Sequence, residues 1–517
     1  MTGSFARSYH DATKQTWRSV RETSHELDWA NQPFPYKLYP RLRAVPLPLG
    51  VRETDWPALD ALSGVAPPNP ARLDLAWLAG VLFYSAGVTR RWVRGNQPLH
   101  FRAAPSAGGL YPIELYVVCG ELDGDPPLPA GVYHFEPYEF ALHPLRVGDH
   151  RQDLARAAVD EGVSAAPVSL VVTGIPWRTT WKYGARGYRH LFWDAGTILA
   201  HVLSLTTAAA VEARVLAGFI DRHIADLVGA DGAEEVVLAV VPLGRSSRRS
   251  RVRPDEVEPL DLETVPLSAQ VGDHATVGRE HQVGELDNAT AVTVWRGGLR
   301  HLRSALTTVI EAPPVLPTFD LLEDVILRRG STRRFRYGKV PPHALTWPLA
   351  VASQPVPGDW SDEDHLLADH HVVVHSVEGL PSGAYRWTPD GPELLRPGVF
   401  RGETTTLCLE QELGGDSAYT VFHLADIEAA LEAGGARAYR VAQLEGGIAA
   451  GRIQLAAFTL ALGATGLTFY DDDVSRFFQT SAEPTTVTAV GTPAYTARTG
   501  RRPSEAPPAR LSDGWGR

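Results

Sequence analysis

Three short stretches hold side chains able to do chemistry. Lys182-Tyr183 sets an ammonium beside a phenol. A phenol with a pKa of roughly 10 is a poor base at neutral pH unless a cation lowers it, each unit of lowering corresponding to about 1.4 kcal/mol. Adjacent side chains diverge in a strand, so a cooperating pair is expected on a turn. The loop Arg102-Ala103-Ala104-Pro105-Ser106-Ala107-Gly108-Gly109-Leu110-Tyr111-Pro112 puts small residues directly after a proline, where backbone N–H groups could approach a flat ligand closely. Arg328-Arg329-Gly330-Ser331-Thr332-Arg333-Arg334-Phe335 joins guanidinium forks to a hydroxyl, a set that suits phosphate, because Arg binds it bidentately where Lys offers a point charge. Each stretch also has a plainer reading: a tight loop before a strand, a solvated basic turn, and a lysine that binds phosphate beside a packed tyrosine.

The elements that must carry these residues are legible in part. Leu73 to Gly87 reads as a largely buried helix ending at Gly87, and Ile113 to Cys119 as an apolar strand after the small-residue loop. Val168 to Thr173 and Val236 to Val241 read as buried strands, and Ala195 to Val211 as a long Ala-rich helix. Strands interleaved with long helices give an α+β or α/β class.

The chain also repeats itself. Gly131-Val132-Tyr133-His134-Phe135-Glu136-Pro137 returns as Gly383-Ala384-Tyr385-Arg386-Trp387-Thr388-Pro389, an offset of 252. Ala185-Arg186-Gly187-Tyr188-Arg189 returns as Ala436-Arg437-Ala438-Tyr439-Arg440, and Asp194-Ala195-Gly196 as Glu445-Gly446-Gly447, both at 251. Two copies at this period are a tandem domain pair, since solenoid repeats recur every 20 to 50 residues or so. A length of 517 residues, with 44% hydrophobic and 21% charged, suits two cores. The expected division is an N-terminal domain over 1–250, a linker over 251–315 and a C-terminal domain over 316–517.

Composition narrows the function. A net charge of −11 argues against a general nucleic-acid binder, and the basic cluster from Arg245 to Arg253 reads as solvated linker. No apolar run approaches the 18 or so residues of a membrane helix and the start lacks a signal-peptide core, so a cytoplasmic protein is expected. Cys119 and Cys408 lie in apolar runs and read as buried hydrophobes, with no metal site expected. The tail from Gly500 to Arg517, rich in Pro, Arg and Gly, is expected to be disordered or to wrap onto a neighbour.

Four separated motifs in order, Tyr9-His10-Asp11-Ala12-Thr13-Lys14, Pro35-Tyr36-Lys37-Leu38-Tyr39-Pro40, the Pro-Ser-Ala-Gly loop and Lys182-Tyr183-Gly184-Ala185-Arg186-Gly187-Tyr188-Arg189, make residues from about Tyr9 to Gly244 resemble the SagB-type azoline dehydrogenases of the nitroreductase superfamily. From about Leu321 to Pro493 the chain resembles the wider superfamily, through the motif Arg328 to Phe335. The resemblance implies an α+β fold of two nitroreductase-like domains, each a central mixed or antiparallel sheet flanked by helices, forming an intramolecular pseudo-dimer. It implies FMN held by Arg329, Ser331 and Arg333, with Pro105, Ser106, Ala107 and Gly108 against the flavin, Thr468, Phe469 and Tyr470 at its pyrimidine edge, and Arg501 with Arg502 near phosphate. Lys182 and Tyr183 match the catalytic pair of the resembled family.

Each half lacks what the other keeps. Leu62-Ser63-Gly64-Val65-Ala66-Pro67-Pro68 stands where a phosphate motif would fall, without arginine. Val351-Ala352-Ser353-Gln354-Pro355-Val356 stands near the loop position of the second half, and Ala433-Gly434 where Lys182-Tyr183 would be. One composite site is therefore expected. The implied reaction is FMN-dependent oxidation of peptidyl thiazolines or oxazolines to thiazoles or oxazoles on a ribosomally made precursor peptide, with a cyclodehydratase partner, in a monomeric pseudo-dimer or higher homo-oligomer. The alternatives are an NAD(P)H-fed nitro or quinone reductase and a flavin-free subunit that binds peptide or partner. Arg186 and Arg189, matched by Arg437 and Arg440, are expected to make structural ion pairs.

Overall fold

The computed structural model describes residues 2–22, 25–94, 97–246, 257–272, 275–299, 320–360 and 367–506. Its strands in chain order are β1 (Val45–Pro46), β2 (Val88–Arg94), β3 (Gln97–Arg102), β4 (Ile113–Cys119), β5 (Gly131–Glu136), β6 (Ala141–Val147), β7 (Val168–Gly174), β8 (Val236–Leu243), β9 (Ala368–Val374), β10 (Gly383–Thr388), β11 (Gly391–Pro397), β12 (Tyr419–Ala425), β13 (Gly463–Leu467) and β14 (Glu483–Gly491). One six-stranded sheet runs β1-β6-β5-β4-β7-β8 and a second runs β11-β10-β9-β12-β14-β13, while β2 and β3 form a separate hairpin. Pairing within both sheets is antiparallel. Matched along the chain repeat, β6-β5-β4-β7-β8 and β11-β10-β9-β12-β14 have the same order. All seven residues of β4 and of β12 are buried, so these central strands read as apolar runs instead of an alternation.

Helix Leu75–Ala86 begins at Asp74, whose carboxylate accepts the Trp77 N–H, and stops at Gly87, as expected. The core of the molecule is the pair of long helices Gly187–Ala208 and Ile427–Thr459. Each packs on the sheet of its own half and against the other helix. Their backbones cross where only glycine fits: a Cβ on Gly196 would lie 2.5 Å from Leu444 O, and one on Gly447 2.6 Å from Trp193 O. Positions 196 and 447 are themselves equivalent at the 251 offset.

Arg186 and Arg189 reach across the halves to Asp471, each guanidinium 2.8 Å from a carboxylate oxygen, and Arg437 reaches back to Asp221 at 2.6 Å. These are the structural ion pairs expected. The motif around His10 is also a clamp between halves: His10 Nε2 lies 2.9 Å and Lys14 Nζ 2.5 Å from Glu483, and Thr13 Oγ1 accepts from Arg189. Lys37 pairs with Glu235 at 2.5 Å beneath the first sheet, and Arg102 donates to Pro35 O at 2.6 Å, which ties the second N-terminal motif to the loop strand.

Several expectations change. The long helix of the first half starts at Gly187, earlier than read, because Arg186 and Arg189 are anchored. The segment read as linker contains helices Ala275–Val283 and Ala289–Leu299, pinned by bonds such as Tyr188 to His281 Nδ1 at 3.1 Å. Within the basic cluster, Arg248, Arg249, Arg251 and Arg253 lie outside the described residues, as do positions 507–517 of the tail; the preceding tail wraps onto the first half, with Arg501 N–H donating to Thr89 O at 2.9 Å. Cys119 and Cys408 are buried free thiols, with burial pushing Cys119 up to about 12. Among the described residues, no helix is long and apolar enough to cross a membrane and no cluster of His, Cys, Asp and Glu could hold a metal.

One buried acid yields a stability prediction. Both carboxylate oxygens of Glu280 are buried without a hydrogen-bond partner among the described residues, and burial raises its pKa from 4.5 to about 8 against the pull of Arg440. From about pH 4.5 to 8 the unfolded chain releases a proton that the fold retains, so stability falls through this window and levels off above it. Glu280→Gln is expected to stabilise the chain by about 1–3 kcal/mol at pH 8.5 and far less at pH 5. Urea titrations at both values check this; a gain independent of pH contradicts it.

Candidate functional site

Helix Pro176–Tyr183 has proline at its start and ends at Gly184, whose φ of 55° no β-branched or bulky residue adopts readily. Lys182 and Tyr183 are thus the last two residues of a helix, a correction to the expected turn, and both are half-buried. The same kink recurs in the second half at Gly435, with φ 62° and ψ −153° against 55° and −147° at Gly184. Lys182 Nζ lies 5.4 Å from the Tyr183 ring centre. The expected loop meets this pair: a Cβ on Gly108, where φ is 66°, would fall 2.8 Å from Tyr183 Oη and 3.0 Å from Lys182 Nζ. Gly108 is there because the loop and the two polar heads share one small space.

Asp194, on the next helix, sets the loop. Ser106 Oγ donates to Asp194 Oδ2 at 2.5 Å, Ala107 N–H to Oδ1 at 3.0 Å, and Tyr111 N–H to Ser106 Oγ at 2.8 Å. Burial raises the Asp194 carboxyl to about 7, against the two hydrogen bonds. Pro105 O accepts from Thr197 on the same helix at 3.0 Å.

Arg329 comes to this loop from the other half. Its Nε and Nη2 donate to Ala103 O at 3.1 and 2.8 Å, two residues before Pro105. The residue is 4% exposed, and its third nitrogen, Nη1, is buried without a partner among the described residues. Burial, with Arg90 adding its own charge, lowers the guanidinium to about 9. Arg90 on β2 in turn donates to Leu327 O and Arg329 O at 2.7 and 2.5 Å. A buried cation with a spare donor beside a second cation is a receptor for an anion.

Ser331 is half-buried and bridges Ala464 on β13, while Thr332 N–H donates to Ala464 O at 3.0 Å. Arg333 is exposed; its backbone N–H donates to Tyr495 Oη at 3.0 Å, and its charge acts on both Lys182 and Tyr183. Burial, then Arg333, lowers the Lys182 pKa from its ordinary 10.5, whereas burial and Asp194 raise that of Tyr183 above 10. The pair is therefore polarised in the sense that favours a neutral amine and an intact phenol.

The three residues after β13 divide. Thr468 Oγ1 accepts from Gln411 Nε2 at 2.6 Å and Tyr470 N–H donates to Leu407 O at 3.0 Å. Phe469 is fully buried, its ring 6.0 Å from Trp193 and 5.0 Å from the Arg186 guanidinium, so its side chain belongs to the core. Arg501 is exposed, its backbone N–H on Thr89 O of β2, but Arg502 is committed to Glu53 at 2.6 Å and Asp324 at 2.8 Å. Sequence reasoning missed Arg90 and Asp194. The matching Glu445 shows only that Asp194 belongs to a repeated helix, and nothing local links it to the loop 88 residues away.

Residues 73–245 match the model of the nitroreductase family. That domain is of nitroreductase type, and the family places it among oxidoreductases. A solved nitroreductase-type protein of Anabaena variabilis has a TM-score of 0.74 to this chain at 27% identity, covering 95% of this chain and 99% of that one. The two-sheet arrangement thus recurs in one solved chain. A nitroreductase-type protein of Methanocaldococcus jannaschii is 29% identical over 174 residues, 34% of this chain and 81% of that one. The microcin B17-processing protein McbC of Escherichia coli is 30% identical over 135 residues, 25% of this chain; the chain spans about half the length of McbC.

Proposed function

We propose that the chain is an FMN-dependent azoline dehydrogenase with two tandem nitroreductase-like domains and a single composite site. The observation that carries this reading is Arg329: a buried, partly unpartnered guanidinium of the second half bonded to the small-residue loop of the first. Arg329, Ser331 and Arg333 suit the phosphate. The loop from Pro105 to Gly108, with positive φ at Gly108 and Gly109, suits the flat ring. The counterpart position in the second half is filled instead. Around Glu445, which matches Asp194, stands the 1% exposed Trp360, whose indole N–H donates to that carboxylate. Similarity to McbC, a microcin-processing protein, favours a peptide substrate, and a cyclodehydratase is the partner that would supply its azolines.

FMN, when bound, supplies the hydride acceptor for the azoline Cβ–H. The chain supplies the rest. Lys182, its ammonium destabilised by burial and Arg333, takes the Cα proton that the adjacent imine and carbonyl acidify. Tyr183 holds its proton and can donate a hydrogen bond to the ring heteroatoms. Loss of one proton and one hydride leaves the aromatic azole.

Purified protein reconstituted with FMN is expected to bind about one per chain and to convert an azoline peptide with loss of two hydrogens per ring by mass spectrometry. Two flavins per chain would end the composite-site reading. Steady NAD(P)H oxidation with a quinone and no azoline conversion would favour the reductase.

A further inference from the structure

We infer that His190 is a positioning residue for Tyr183, holding the phenol ring in its working plane by a face-to-face stack; the inference rests on the function proposed above. The two rings are 4.1 Å apart between centroids and 5° from parallel. His190 is 1% exposed, and Nδ1 lies 3.2 Å from Arg186 O. A carbonyl only accepts, so Nδ1 carries the proton and the imidazole is anchored through it. The Trp193 ring also packs on the imidazole, 4.5 Å between centroids and tilted by 54°. Burial, then Arg186, drops the His190 pKa to about 3, so the ring stays neutral. A neutral flat ring can lie against a phenol without adding charge to it.

The internal repeat separates this role from a general one in the fold. At the offset of 251, Arg186, Tyr188 and Arg189 persist as Arg437, Tyr439 and Arg440; Arg437 and Tyr439 make contacts between halves, and Arg440 holds His281 of the segment between them. Lys182 and Tyr183 are replaced by Ala433 and Gly434, and His190 by Val441. Valine is buried there in the same helical frame. The helix therefore folds without the imidazole, and the imidazole is absent where the tyrosine is absent. Six residues lie between Tyr183 and His190, yet the kink at Gly184 turns the chain so that the two side chains meet.

The test uses the full chain reconstituted with FMN, with His190→Val, His190→Leu and His190→Phe. The Val and Leu variants are expected to lower kcat on an azoline peptide roughly 10- to 100-fold, the scale of a small misplacement of a reacting group, with KM and flavin content within about twofold. Phe, which keeps a flat face, should retain most of kcat. An unchanged kcat in both aliphatic variants, or an equal loss in all three, overturns the inference. A second readout does not depend on the reaction: phenolate absorbance of Tyr183 on pH titration, taken as the difference from Tyr183→Phe. Valine is smaller than the imidazole and admits water to the ring, so the phenolate should form at lower pH in His190→Val than in the wild type or His190→Phe. No such shift would also overturn it. If this shift appears while the wild type leaves azolines untouched, the stack stands and the proposed reaction fails.

Discussion

Replacing Lys182 with alanine is expected to cut azoline oxidation by roughly 10²- to 10⁴-fold, the range for losing a positioned general base, while FMN stays bound. The choice between the two polar heads follows from their surroundings. Burial disfavours charge on both, but it acts in opposite senses on an ammonium and a phenol. For Lys182 it lowers the pKa from 10.5, and Arg333 lowers it further; for Tyr183 it raises the pKa above 10, and Asp194 adds to that. The amine is consequently the easier of the two to find in its basic form. In the wild type kcat should rise with pH as the ammonium loses its proton, with a midpoint below 10.5. Lys182→Arg should abolish that limb, since a guanidinium keeps its proton throughout. Tyr183→Phe should lose activity but keep the limb. A Tyr183→Phe enzyme without the limb, beside a Lys182→Ala enzyme that retains it, would reverse the two roles.

Arg329→Met is expected to weaken FMN binding by about 3–4 kcal/mol, roughly 100- to 1000-fold in Kd, because it removes charge-assisted bonds to the phosphate from a desolvated position. The same substitution should stabilise the flavin-free chain by about 1–3 kcal/mol. The guanidinium is 4% exposed, bonded to Ala103 O, and pushed down to about 9 by burial, so its desolvation costs stability. Opposite signs for apo stability and cofactor affinity mark a residue kept for a ligand. Thermal melts with and without FMN measure both at once, since a ligand at 100 times its Kd stabilises by about 2.7 kcal/mol. A variant that melts lower without FMN and binds it with wild-type affinity would make Arg329 a structural residue.

How far the sequence could be read depended on whether the cause was local. β4 was legible because a strand covered on both faces is an apolar run, and the end of helix Leu75–Ala86 because Gly87 stops it. Arg329 and the Pro105 loop were legible as chemistry, and the missing arginines near Leu62 suggested that the two stretches should meet. The meeting point, Ala103 O, was not, since a backbone carbonyl carries no signal in sequence. Helix Ala275–Val283 escaped notice because its order comes from tertiary bonds at His281, where periodicity is weak. The resemblance puts Phe469 at the flavin edge, but the packing of its ring against Trp193 and the Arg186 guanidinium carries no local signal.

The glycine crossing at Gly196 and Gly447 has a consequence for inheritance. In a dimer of identical subunits that contact would be one codon read twice, and every substitution in the gene would strike both sides of the particle together. Here the two positions are separate codons in one chain, so a substitution at either brings one clash instead of the two a dimer would suffer. The arginine clamps occur in both halves, whereas Trp360 beside Glu445 and Val441 in place of His190 mark where the halves differ. With both halves in one chain, mutation is asymmetric: a change on one side of the crossing is not copied onto the other.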